Sequence, residues 1–157
     1  MSDIECVKLS VLFVCYKQES QVEAALRSIL AQDYPNLEII LVDDGSTDHS
    51  RTIIEKWKSL FPQKIKVYFQ SNQGPSIARN QGIHRASGKY ILPLDSDDKI
   101  HPEYIYQAVE KIENDQEIKV VYCEAEKFGS KKGSWRLKPF SLDQLALDNM
   151  IFISALF

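Results

Sequence analysis

The stretch Leu37-Glu38-Ile39-Ile40-Leu41-Val42-Asp43-Asp44-Gly45-Ser46-Thr47-Asp48 decides the fold. Its first six residues, branched and apolar apart from Glu38, form a run of strand length. The last six are turn formers, and Gly45 permits a bend that other residues resist. Ile53, Ile54, Trp57 and Leu60 follow at helical spacing, and Pro62 stops that helix. Strand, polar turn and helix is the repeating unit of an alternating α/β chain.

The same unit repeats on both sides. Upstream, Leu9–Cys15 is a second buried strand, and Ser20 opens a helix with Glu23 three residues on as a capping box. Val22, Leu26, Ile29 and Leu30 share one face of that helix. Downstream, Ile65–Phe69 reads as a strand, Gly74-Pro75 opens a helix through Ala86, and Tyr90–Leu94 is the fourth strand. Pro102 opens a helix that buries Ile105, Val109 and Ile112. Ile118–Cys123 reads as a fifth strand, residues 128–135 as an exposed loop or hairpin, and Ser141–Asn149 as a short helix. Ile151–Phe157 is a last apolar strand. This alternation predicts a Rossmann-like α/β fold, a mostly parallel sheet with helices on both faces.

At 157 residues the length suits one domain with a real core. The formal charge of −3 argues against nucleic acid as a partner. No apolar run is long enough to span a bilayer, and Met1–Glu5 is not the basic start of a signal peptide. Cys6, Cys15 and Cys123 contain no CxxC pair and read as reduced cytosolic thiols. The dinucleotide and P-loop glycine motifs are absent, as is a G-x-S-x-G elbow.

In open α/β sheets ligands sit outside the carboxyl ends of the strands. Four loops there carry candidates. Tyr16 offers a ring for stacking on a base, and Glu19 either reaches a ribose or orders its loop. Cys15 lies at the strand end, a buried inert thiol whose backbone is near the ligand. Asp43 and Asp44 point to opposite faces, so one suits a ligand while the other caps the following turn. A carboxylate accepts the N3–H of uracil and disfavours cytosine. Asn72, Gly74 and Arg79 surround a helix start, where Arg79 is either a phosphate contact or a surface cation. Asp95, Ser96, Asp97 and Asp98 form an acidic turn. In extended chain Asp95 and Asp97 point the same way and suit one hard cation, Mg²⁺ or Mn²⁺, shared with phosphates. The alternative is a solvated turn that caps the next helix.

These signals come in order, and LSVLFVCYKQE (9–19), ALRSILAQDYPNLEIILVDDGSTD (25–48), NQGPSIARNQGI (72–83) and GKYILPLDSDDKIHPEYI (88–105) together resemble the family 2 glycosyltransferases with a GT-A fold. The resemblance runs from Leu9 to Phe157. It implies transfer of a sugar, with inversion, from a nucleotide-sugar donor, most often UDP-linked, to a sugar or lipid-linked sugar acceptor. It places Tyr16 and Glu19 at base and ribose, Asp44 at uracil, Arg79 in the nucleotide pocket, and Asp95, Ser96 and Asp97 at ribose, diphosphate and metal. Cys15 departs from the family's small hydroxyl residue at that place. The family's general base lies beyond the strand that Ile151–Phe157 resembles, so no residue here is assigned that role. The resemblance therefore implies a donor-binding part, 1–157, cut before the acceptor side. It also implies a cytoplasmic setting in bacterial surface-polysaccharide synthesis, at the inner membrane face through the acceptor. Two rival readings are a sugar nucleotidyltransferase, which calls for a glycine-rich basic N-terminal loop, and a non-catalytic nucleotide-binding or interaction domain.

Overall fold

The computed structural model describes residues 7–145 and 150–157. Strands β1 (Leu9–Cys15), β2 (Leu37–Asp43), β3 (Ile65–Phe69) and β4 (Tyr90–Asp95) form one parallel sheet in the order β3-β2-β1-β4. The connecting helices are α1 (Val22–Leu30), α2 (Ser50–Leu60) and α3 (Pro75–Ile83), and α4 (Tyr104–Asn114) follows β4. β1 and β2 are buried along their whole length because both faces of the sheet are covered.

Alternation sorts the side chains into two cores. Val11, Phe13, Ile39, Leu41, Leu92 and Leu94 meet Leu26 and Ile29 of α1, Ile54 and Trp57 of α2, and Ile105, Val109 and Ile112 of α4. On the other face Leu12, Val14, Ile40 and Val42 meet Ala78 of α3. That helix lies close to the sheet: a Cβ on Gly82 would stand 1.9 Å from Leu12 Cδ1. The buried amide of Gln32 ties α1 to α4, donating to the carbonyls of Ser28 and His101 and accepting from the N–H of Ile105. It thereby satisfies one of the orphan donors at the start of α4.

One polar cluster crosses the sheet at the amino ends of its strands. Glu38 Oε1 accepts from Ser10 Oγ at 2.6 Å, Ser87 N–H at 2.8 Å and Ser87 Oγ at 2.9 Å. Its Oε2 meets Lys8 Nζ at 3.0 Å and Lys66 Nζ at 2.9 Å. Burial alone would raise this carboxyl. The hydrogen bonds from Ser10, Lys66, Ser87 and Lys8 outweigh it and hold Glu38 well below the usual carboxylate range.

The structure corrects several readings. Ile118–Cys123 is no ladder strand: within it only Val121 is bridged, antiparallel to Leu156. Ile151–Phe157 forms no ladder strand either: only Leu156 is bridged. Ala155 and Leu156 are buried, and Phe157 exchanges two backbone hydrogen bonds with Ile91 on the outer edge of β4. The Ser20–Glu23 capping box does not form, because α1 starts at Val22 and Glu23 pairs with Arg27 instead. Leu60 is exposed, and α3 ends at Ile83 rather than Ala86. Residues 128–135 belong to a hairpin, with β5 (Ala125–Lys127) antiparallel to β6 (Gly133–Trp135). Of the helix expected over Ser141–Asn149, α5 covers Leu142–Leu145, and residues 146–149 lie outside the described residues.

Candidate functional site

The strand order turns back between β1 and β4, so a crevice is expected outside their carboxyl ends. The four loops that carry the candidate residues converge there. The loop after β1 is pinned to the loop after β2. Lys17 N–H donates to Ser46 Oγ at 3.0 Å, Gln18 N–H to Ser50 Oγ at 2.9 Å, and Glu19 N–H to Asp48 Oδ2 at 3.2 Å. Glu19 Oε2 accepts the His49 N–H at 2.8 Å, so its carboxylate orders the loop. This scaffold holds Lys17 at φ 52°, a left-handed conformation that a lysine adopts only under constraint. Tyr16 is left exposed at the mouth.

The loop after β2 in turn holds the loop after β3. Asp44 is buried, and its N–H donates to the Cys15 carbonyl at 2.9 Å. Asp44 Oδ1 accepts from Gln70 Nε2 at 2.7 Å and Gln73 N–H at 2.9 Å, and Oδ2 from Gly74 N–H at 2.9 Å. A carboxylate has about four acceptor positions, so one remains on Oδ2 for a ligand. Gly45 sits at φ 77°, and a Cβ there would stand 2.7 Å from the Asn72 backbone nitrogen. Asn72 is thus brought against the turn that follows Asp44, with its residue exposed.

Asp43 takes the capping role. Its Oδ2 accepts the Ser46 N–H at 3.3 Å, while its buried Oδ1 has no partner. Burial raises its carboxyl. The thiol of Cys15 lies beside it in register, fully buried, and burial pushes it up to about 11. Cys15 is therefore a neutral thiol at physiological pH.

The loop after β4 differs from the sequence-based expectation in one respect. The strand ends at Asp95 and the chain turns at once, with Asp98 N–H donating to the Asp95 carbonyl at 3.0 Å. The alternation that was to aim Asp95 and Asp97 alike applies only to extended chain. Asp97 is instead exposed on the turn, and Ser96 is the buried member. Asp95 Oδ1 accepts from Arg79 Nη2 at 2.7 Å, an ion pair between two partly buried side chains. Burial raises the Asp98 carboxyl, and the charges of Asp97 and Asp95 raise it further.

Among the described residues no group of three or more His, Cys, Asp and Glu side chains could hold a metal by itself. The donor chemistry nevertheless fits a shared hard cation: Mg²⁺ and Mn²⁺ take one or two carboxylates, with phosphate oxygens and water completing the shell. Asp97 and the Asp95 oxygen not bonded to Arg79 are the candidates.

Sequence reading missed the pins, namely Ser46, Asp48, Ser50 and Gln70. For Ser46, Asp48 and Ser50 the signal was their type, since Ser and Asp at a helix start are caps and loop anchors; Gln70 carried no such signal.

Similarity to known proteins accords with this geometry. The family model described as "Glycosyl transferase family 2" matches residues 10–155. The minor teichoic acid biosynthesis protein GgaA of Bacillus subtilis is 32% identical over 133 residues, 82% of this chain and 30% of GgaA. TarS of S. aureus, solved in complex with UDP, is 34% identical with a TM-score of 0.63, over 68% of this chain and 32% of that one. The mannosyltransferase PcManGT from Pyrobaculum calidifontis, solved with GDP-Man and Mn²⁺, shares the fold at 24% identity and a TM-score of 0.71, over 77% and 36% of the two chains. This chain therefore spans about a third of the length of these relatives.

Proposed function

The chain belongs to glycosyl transferase family 2 and has the GT-A fold, and from that premise we propose that it forms the donor-binding part of an inverting glycosyltransferase that uses a UDP-sugar in surface-polysaccharide synthesis. The observation that carries the reading is the Arg79–Asp95 pair at the switch point of the sheet, flanked by the Asp44 loop and by Asp97. The UDP complex of TarS at 34% identity supports the choice of nucleotide, and GgaA supports the choice of product class.

The reaction must expel a diphosphate while the sugar gains positive charge. Asp44 offers its remaining Oδ2 acceptor position to the uracil N3–H. Tyr16, exposed at the mouth, stacks on the base. Arg79 presents a guanidinium whose fork suits diphosphate oxygens, once it gives up Asp95. Asp95 and Asp97 would hold Mg²⁺ or Mn²⁺, which when bound neutralises the leaving diphosphate. Transfer also needs a general base for the acceptor proton. None of the residues described here is assigned to it, and Asp98 belongs to the donor side.

Calorimetric titration of UDP in the presence of Mn²⁺ tests the reading. Binding is expected, weakened about tenfold or more by Arg79→Ala, since a hydrogen bond to a charged group is lost. Asp97→Ala should remove the dependence on Mn²⁺. Absence of UDP binding, or binding indifferent to both substitutions, sinks the assignment.

A further inference from the structure

We propose that Gln70 is a positioning residue that sets base selectivity: its side-chain amide fills one acceptor position of Asp44 and leaves a single one, on Oδ2, for a ring N–H. The inference rests on the nucleotide reading above and deepens it, since that reading gives Gln70 no part in choosing the base.

The sheet brings the two side chains together. β2 and β3 are parallel, with Val42 opposite Tyr68 and Asp43 opposite Phe69. Val42 and Tyr68 pack in the same core, so alternation sets Asp44 and Gln70, two residues on, side by side on that face. The Gln70 N–H donates to the Asp43 carbonyl at 3.0 Å and carries the pairing one residue past the strand. Gln70 Nε2 then meets Asp44 Oδ1 at 2.7 Å. The partner dictates which way the amide faces, because a carboxylate only accepts and Oε1 has no hydrogen to give.

Holding the loop does not require this contact. Backbone N–H groups of Gln70, Gln73 and Gly74 already tie the loop after β3 to Asp43 and Asp44. The amide adds a second donor on Oδ1. That oxygen is then full, with Gln70 and Gln73, while among the described residues Oδ2 carries only Gly74. One acceptor position remains on a buried carboxylate. Uracil meets it with N3–H. Cytosine has an N3 lone pair in that place, and its amino group needs a second acceptor to one side. Gln70 occupies that acceptor. A site with a single polar position left open discriminates by leaving the wrong base unpaired.

Calorimetric titration of the full chain with UDP and with CDP, in Mn²⁺ and at one pH, tests the assignment. Native protein is expected to prefer UDP. Gln70→Leu keeps the bulk but removes the donor, which frees Oδ1 for the cytosine amino group. The UDP-to-CDP affinity ratio should then fall at least about fivefold. Gln70→Glu puts a further acceptor beside Oδ1 and should lower the ratio more. A ratio unchanged in Gln70→Leu overturns the proposal, whether both nucleotides keep their affinity or lose it alike, because a slackened loop weakens both equally. Native protein that shows no preference between UDP and CDP overturns it too. Native protein that binds neither nucleotide sinks the nucleotide reading itself, whereas a native preference for UDP that survives both substitutions sinks the role of Gln70 alone.

Discussion

Replacing Glu38 with alanine is expected to cost on the order of 3 kcal/mol of folding stability, the range for breaking a buried, hydrogen-bonded charge. For a chain of this size that lowers Tm by about 10 °C. The loss does not come mainly from the two ion pairs, because the Lys8 and Lys66 side chains are 39% and 46% exposed and recover water. It comes from the donors left behind: the Ser10 hydroxyl and the Ser87 N–H and hydroxyl lose their common acceptor. The pH dependence follows from the direction of the shift. Glu38 is depressed in the folded chain, so its contribution is fully present above the ordinary glutamate value near 4.3 and is lost progressively as pH falls from there through the far lower folded value. Thermal melts from pH 7 to pH 3 should therefore converge for native protein and Glu38→Gln as acid is added. Parallel curves, with the same gap at pH 7 and pH 3, rule the cluster out as the source.

The second large effect is at Gly45. Alanine there must adopt a left-handed conformation, at a cost of about 1–2 kcal/mol. Its Cβ also meets the backbone nitrogen of Asn72 at 2.7 Å, and backbone cannot swing away as a side-chain tip can. The loop after β3 must shift, which pulls Gln73 and Gly74 from Asp44. A total near 3 kcal/mol is expected, together with loss of measurable UDP binding. Denaturant unfolding and the UDP titration check both parts. Gly45→Ala that melts like the parent and binds UDP normally shows that the loop after β3 is free to relax.

Both effects trace to features of different legibility. The four strands of the sheet were readable because LSVLFVC and LEIILV are apolar but for Ser10 and Glu38, as a doubly covered parallel strand demands. Ile118–Cys123 has similar composition, yet Val120 is exposed and only Val121 is bridged. Strand propensity describes fit to a pleated surface, and that segment has little surface to fit. The four candidate loops lie at the carboxyl ends of the strands, as the rule for open sheets expects. Their partners were not legible, because Arg79 with Asp95 and Asp44 with Gly74 are long-range choices that spacing does not encode. Glu38 left a signal that reading passed over: an acid inside an apolar strand implies a partner.

Among the described residues the sheet has two edge strands, and each is guarded against addition of a foreign strand. β3 is short, and Lys66 in it puts a charge on one margin. On the other, Phe157 occupies Ile91, and Pro93 has no N–H to offer the next partner. Acid that neutralises Glu38 leaves Lys66 charged, so that margin keeps its cation as the polar cluster weakens.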